Sequence, residues 1–161
     1  MRIHPAVLAQ ATATLSLLLD GRFFWGVGTG GTAPDKELVD TFMTSGGHGP
    51  RYAQLTLCCA DDEAAARKTV HEIWPTGGLS GQLAQDLPTW THFEQATEPL
   101  STDQVTASTP CGPDILDDLL ATVNKYEAVG YDHLYFHQIG PDQDRFFRFW
   151  ERELRPALAQ R

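Results

Sequence analysis

The sequence predicts an α/β protein whose strands run parallel. Short apolar runs rich in aromatic and β-branched residues occupy 22–27, 52–59 and 131–137, and amphipathic stretches at three- and four-residue spacing lie between them. Capping residues, glycines and prolines mark most of the junctions. Strand alternating with helix calls for helical crossovers, and crossovers join parallel neighbours. Composition alone leaves open whether such strands form a doubly wound sheet or a (β/α) barrel. At 161 residues the chain is long enough for one domain with a real core, spanning 1–161.

Taken in order, Pro5 suits the first turn of a helix, and Leu8, Ala11, Leu15 and Leu18 recur as one buried face before a stop at Asp20 and Gly21. Residues 22–27 then read as a buried strand that breaks into alternating glycines. Thr32, Ala33, Pro34 and Asp35 resemble a helix entrance, followed by a short amphipathic helix with Leu38, Val39 and Phe42. A second strand over 52–59 precedes Asp61, Asp62 and Glu63, placed where a helix dipole favours anions, and a stripe of Ala66, Val70, Ile73 and Trp74. Residues 75–109 are irregular, with short helical pieces around Leu83 to Leu87 and His92 to Ala96. Cys111, Gly112, Pro113 and Asp114 open the clearest helix, lined by Ile115, Leu119, Val123 and Tyr126, with Gly130 placed as its C-cap. After the third strand, Asp142 precedes a last helix with an apolar stripe of Phe146, Phe149, Trp150, Leu154 and Leu158. On that helix Arg145, Arg148, Arg152 and Glu153 are expected to face water.

Twenty-one acids against twelve bases give a formal charge of -9, which repels nucleic acid and anionic lipid and favours solubility, so neither a nucleic-acid nor a membrane partner is expected. Three cysteines, two of them adjacent in an apolar run, indicate neither a disulfide framework nor a zinc site. With no signal-peptide core and no apolar run of spanning length, a cytoplasmic protein is expected. His133, Tyr135 and His137 share one strand face, with His137 at the strand end, but two histidines are too few for a metal centre, so no metal site is expected and His133 is read as a hydrogen-bonded structural residue. His4, His48, His71 and His92 lack catalytic partners in the sequence. The carboxylate pairs Asp61–Asp62 and Asp117–Asp118 read as solvated helix positions.

Residues 28–31, Gly-Thr-Gly-Gly, form the candidate ligand loop. Glycines let backbone approach a planar or phosphorylated ligand, and Thr29 adds a hydroxyl; the plainer reading is a tight strand-exit turn. Gly26, Gly28 and Gly31 also satisfy the dinucleotide spacing G-x-G-x-x-G. That motif needs a helix opening at the loop and an acid about twenty positions on. Pro34 delays the helix here, and the second strand ends only near Cys59.

RIHPAVLAQA at 2–11, ATL at 13–15, GRFF at 21–24 and GVGTG at 26–30, followed by TAPDKEL at 32–38, ADDEA at 60–64, HLYFH at 133–137 and DQDRFF at 142–147, form an ordered series. It resembles the luciferase-like flavin and deazaflavin oxidoreductases, and within them the subgroup named after deazaflavin-dependent glucose-6-phosphate dehydrogenase. The resemblance implies a (β/α)8 barrel with its cofactor across the carboxyl mouth. It implies hydride transfer between an organic substrate and the 8-hydroxy-5-deazaflavin coenzyme F-420, with FMN as the alternative cofactor. Carried over position by position, it makes Gly28, Thr29 and Gly30 cofactor contacts and puts Thr32 near the cofactor, where a helix-cap role competes. Since a (β/α)8 barrel takes about 250 residues, the resemblance implies an incomplete one here, with three to four strands, truncated at its amino end and internally deleted between Gly30 and Gly31. The family's glutamate falls on Gly31, which cannot act as an acid. The basic residues that hold the sugar phosphate are unmatched around Leu83, Ala107 and Ser108. The alternative is a non-catalytic remnant that covers exposed sheet edges by binding a partner or itself, and a homo-oligomer is expected.

Overall fold

The computed structural model describes residues 4–20, 22, 34–79, 81 and 83–161. The chain divides into two units, residues 1–30 and 31–161. In the first, α1 (Pro5–Leu18) begins as expected with Pro5 in its first turn and His4 as N-cap, the imidazole Nδ1 accepting from the Ala6 amide at 3.2 Å. Its expected buried face is not found: Leu15 and Leu18 are exposed. The strand expected over 22–27 falls almost wholly outside the described residues.

The second unit is built on a parallel sheet of three strands, β1 (Tyr52–Cys59), β2 (Cys111–Gly112) and β3 (His133–Gln138), in the order β2-β1-β3. Central β1 is paired along most of its length with β3, from Tyr52 opposite His133 to Leu57 opposite Gln138, while β2 holds only Cys58 and Cys59. Helices connect and cover these strands: α2 (Lys36–Thr44), α3 (Glu63–Ile73), α4 (Leu83–Asp86), α5 (Trp90–Thr97), α6 (Thr102–Thr106), α7 (Leu116–Val129), α8 (Gln143–Phe149) and α9 (Arg155–Ala159). A 3-10 turn, Pro75–Gly78, follows α3, and a π-helical turn, Trp150–Leu154, joins α8 to α9.

Period-two alternation sorts the strand residues onto two faces. Leu55, Leu57 and Cys59, with Leu134 and Phe136 beside them, pack under Ile115, Leu119 and Val123 of α7 and its approach, and under Phe146, Phe149 and Leu154 of the last helix. Leu57, Leu119 and Leu154 are fully buried, each burial stabilising by roughly 2 kcal/mol. On the opposite face Cys58 and Ile139 pack against Ala66 and Val70 of α3 and Val105 of α6. Farther along that face the exposed Tyr52 stacks on His133 and Tyr135, with ring centroids 4.6 and 5.7 Å apart.

Helices thus lie on both faces of the described sheet, and the strand after β2 returns to pair with β1. Successive barrel strands are neighbours and all barrel helices lie outside, so the described residues carry the parallel α/β expectation without the sequential order of a barrel. The two-residue β2 causes the departure. Cys111 and Gly112 were expected at the head of a helix, but they add to the sheet beside β1, and α7 starts only at Leu116.

Local signals set most boundaries. Asp35, Asp62 and Asp142 cap α2, α3 and α8, accepting from Leu38, Ala65 and Arg145 amides at 3.0, 2.7 and 2.9 Å. Gly130 ends α7 at φ 105°, a left-handed conformation that strains any side-chain-bearing residue. In the last helix the Arg155 amide reaches back to the Trp150 carbonyl, five residues away. Pro156 explains this wider turn, since it cannot donate to the Arg152 carbonyl and its ring would strike that oxygen in a regular α-helix.

Candidate functional site

In open parallel sheets ligands gather outside the carboxyl ends of the strands, at the gap where chains leaving adjacent strands turn to opposite faces. That gap lies here between β1 and β3. From β1 the chain turns through Ala60 to Asp62 into α3 on one face; from β3 it passes Gly140 to Asp142 into α8 on the other.

Gln138 holds the two strand ends together. Its Oε1 accepts from the Cys59 amide at 2.8 Å and its Nε2 donates to the Cys59 carbonyl at 3.2 Å, both buried. Gly140 is required beside it, because a Cβ there would lie 2.7 Å from Gln138 Nε2 and 3.1 Å from Cys58 Sγ. Gln143 Nε2 ties the loop down by donating to the Gly140 carbonyl at 2.7 Å. Asp61 pairs with Arg145, so the expectation that Arg145 faces water is corrected: its side chain is three-quarters covered, and burial among Asp61, Cys59 and the last helix supplies the reason.

The thiols at this edge are poor nucleophiles. Burial, with Cys111 and Cys59 adding to it, pushes Cys58 up to about 11. Cys59 is raised by burial although the Arg145 guanidinium opposes the rise, and burial raises Cys111 too. Reactive cysteines need the opposite surroundings.

His137 is the hydrogen-bonded histidine of β3. Gln54 Nε2 lies 3.1 Å from its Nδ1, within hydrogen-bond reach, and the edge of Trp74 meets the ring at a centroid distance of 5.0 Å. The structural hydrogen bond expected for His133 therefore falls on His137, and the His133 ring is held by stacking on Tyr52. Both histidines share a face with Tyr135 as expected, and among the described residues no group of three or more His, Cys, Asp or Glu converges as a metal site. Of the other histidines, His71 Nε2 lies 2.9 Å from the Leu100 carbonyl and His92 Nδ1 lies 3.0 Å from Thr89 Oγ1, both structural contacts.

At the amino ends of the same two strands, Arg51 donates from Nε and Nη2 to the Asp132 carboxylate at 2.9 and 2.5 Å, and from its amide at 2.9 Å. These hydrogen bonds hold the Asp132 carboxyl down at about 2. The pair fastens β1 to β3 on the side away from the candidate site.

Gly28, Thr29, Gly30 and Thr32, the residues expected to contact the cofactor, lie outside the described residues, as does Gly31. Gln138, Gly140 and Arg145 are the edge residues that sequence reasoning missed. A signal existed for Gln138: it continues the core-facing register of Leu134 and Phe136, where a polar side chain has to find a partner. Arg145 carried none, because Asp61 lies 84 positions away.

Residues 1–44 match the model of a family described as luciferase-like monooxygenase. An F420-dependent glucose-6-phosphate dehydrogenase of Rhodococcus jostii is 33% identical over 98 residues, 61% of this chain and 28% of that protein. That of Mycobacterium avium is 31% identical over 100 residues, 62% of this chain and 29% of the relative. An F420-dependent hydroxymycolic acid dehydrogenase of Mycobacterium tuberculosis is 43% identical over 54 residues, 34% of this chain and 14% of that protein. The chain is thus similar to the luciferase-like monooxygenases over its first 44 residues and to the F420-dependent dehydrogenases over about three fifths of its length, and it spans little more than a quarter of the length of the glucose-6-phosphate dehydrogenases it matches.

Proposed function

We propose that this chain carries part of a luciferase-like oxidoreductase that moves a hydride between a small organic substrate and coenzyme F-420. The observation that carries the proposal is the 33% identity over 98 residues to an F420-dependent dehydrogenase. When bound, the deazaflavin supplies the hydride chemistry, and the protein's part is orientation and electrostatics.

Gln138, Gln143, Asp61, Asp62 and Asp142 already have protein partners. The described strand ends therefore offer a cofactor few unpaired groups, and the reading assigns its contacts to Gly28, Thr29, Gly30 and Thr32. With Gly31 at the family's glutamate position, that position supplies no proton. FMN is the alternative cofactor for the same loop. The reading takes residues 1–161 as one incomplete (β/α)8 barrel domain. It also takes the protein as cytoplasmic; among the described residues no helix is long and apolar enough to cross a membrane.

Titration of the full chain with oxidised F-420, followed by coenzyme fluorescence, tests the proposal. Saturable quenching that weakens in Thr29→Val and Gly30→Val is expected, and FMN competition ranks the two cofactors. No quenching up to about 100 µM, a binding free energy weaker than about 5.5 kcal/mol, overturns it.

A second reading, a non-catalytic module that self-associates, is favoured by the exposed aromatic face formed by Tyr52 and Tyr135, which are 49% and 62% exposed. Light scattering during size-exclusion chromatography checks it. A concentration-independent monomer that binds no hydrophobic dye excludes self-association.

A further inference from the structure

Beside α8 and the π-helical turn, a pocket of about 150 Å³ is lined by Pro113, Arg145, Arg148, Phe149, Arg152 and Glu153. Three of those six side chains are arginines, in a chain whose net charge is -9. Their spacing, three and then four residues, puts them on one face of the helix. Arg145 gives one edge of its guanidinium to Asp61, but its buried Nε has no hydrogen-bond partner. Arg148 and Arg152 have no ion-pair partner among the described residues, and Glu153 is the one acid lining the pocket.

We infer that this pocket binds a phosphoryl group, either free phosphate or the phosphate of a small monoester. Arg148 and Arg152 bring guanidinium donors to the pocket, and an oxyanion brings several acceptor oxygens to one point. Guanidinium forks suit that geometry better than ammonium groups do. The size agrees: pockets that engulf drug-sized ligands run from about 300 to 1,000 Å³, whereas this one suits a single oxyanion group and a few waters. The inference does not depend on the assignment of the cofactor to residues 28–32.

Calorimetric titration of the full chain with inorganic phosphate and with glycerol 3-phosphate, at fixed ionic strength set by potassium chloride, tests the inference. Saturable binding is expected, weakened by about tenfold or more in the double variant R148Q/R152Q, whose exposed side chains leave the core untouched. E153Q, which removes the opposing charge, is expected to bind about threefold more tightly. Tighter binding of the monoester assigns the site to monoesters and tighter binding of inorganic phosphate assigns it to the free ion; either upholds the site. Absence of binding to both ligands, or equal binding by wild type and R148Q/R152Q with unchanged urea midpoints, overturns it.

Discussion

Gln138 grips both backbone groups of Cys59, accepting from its amide at 2.8 Å and donating to its carbonyl at 3.2 Å. This side chain performs the pairing that the β1–β3 ladder would make one residue farther on, and it does so in the buried interior. Replacing it with leucine leaves an amide and a carbonyl without partners. Gln138→Leu is expected to destabilise the protein by about 2–4 kcal/mol, read from urea unfolding. A loss below about 0.5 kcal/mol would mean that water or a shifted loop replaces the grip.

Gly140→Ala probes the same corner from the loop. The new methyl would meet Gln138 Nε2 at 2.7 Å, so the glutamine has to let go of Cys59 or the loop has to move. A loss similar to that of Gln138→Leu is expected, and the double variant should lose little more than either single one, because both break one contact.

The Arg51–Asp132 clamp makes stability depend on acidity. Asp132 is held at about 2 by hydrogen bonds from the Arg51 side chain and backbone. A carboxyl lowered on folding stabilises above its unfolded value, near 4, and that stabilisation is lost as pH falls from about 4 through about 2. Urea midpoints measured between pH 5 and about 2 are expected to fall less steeply in Asp132→Asn than in wild type. Identical slopes would show that the clamp contributes nothing in solution.

Thiol chemistry gives a fourth check. Since burial raises Cys58, Cys59 and Cys111, a chromogenic disulfide reagent near neutral pH should react slowly with the native protein. All three should react quickly once urea unfolds it. Rapid native labelling of Cys58 or Cys59, located by mass spectrometry, would refute the burial argument.

Leu119→Ala tests the core under α7. Leu119 is fully buried among Leu55, Leu57 and Phe146, and truncation is expected to cost about 3 kcal/mol, lowering the thermal midpoint by several degrees.

Much of this architecture was legible in the sequence because local chemistry determines it. The second strand, the α7 face of Ile115, Leu119, Val123 and Tyr126, the Gly130 cap and the Asp142 helix start all follow from periodicity and capping. Ser101 and Gln104 form a reciprocal capping box around α6, a pattern present in the residues although the segment reads as irregular. Ile73, counted in the α3 stripe, is exposed instead, while Ala66 and Val70 are buried against the sheet and Trp74, just past the helix end, meets the His137 ring. What local pattern cannot supply is partnership over distance. Neither the two-residue addition of Cys111 and Gly112 beside β1 nor the pairing of Arg145 with Asp61 leaves a periodic trace. The candidate cofactor loop was legible as glycines with an intervening threonine, and its assignment comes from the family resemblance, because glycine-rich turns look alike before a ligand is seen.

The strand order has a consequence for synthesis. The central strand leaves the ribosome early, yet its main partner begins only at His133, the register mate of Tyr52, 81 residues later. Until then the only strand pairing available to β1 among the described residues is the two-residue ladder of β2. Pairings so far apart in the chain close slowly and leave apolar strand exposed meanwhile. A nascent chain halted before residue 133 therefore presents Leu55 and Leu57 without β3 beside them and without Phe146, Phe149 and Leu154 over them, which makes translation speed and chaperone supply determinants of yield.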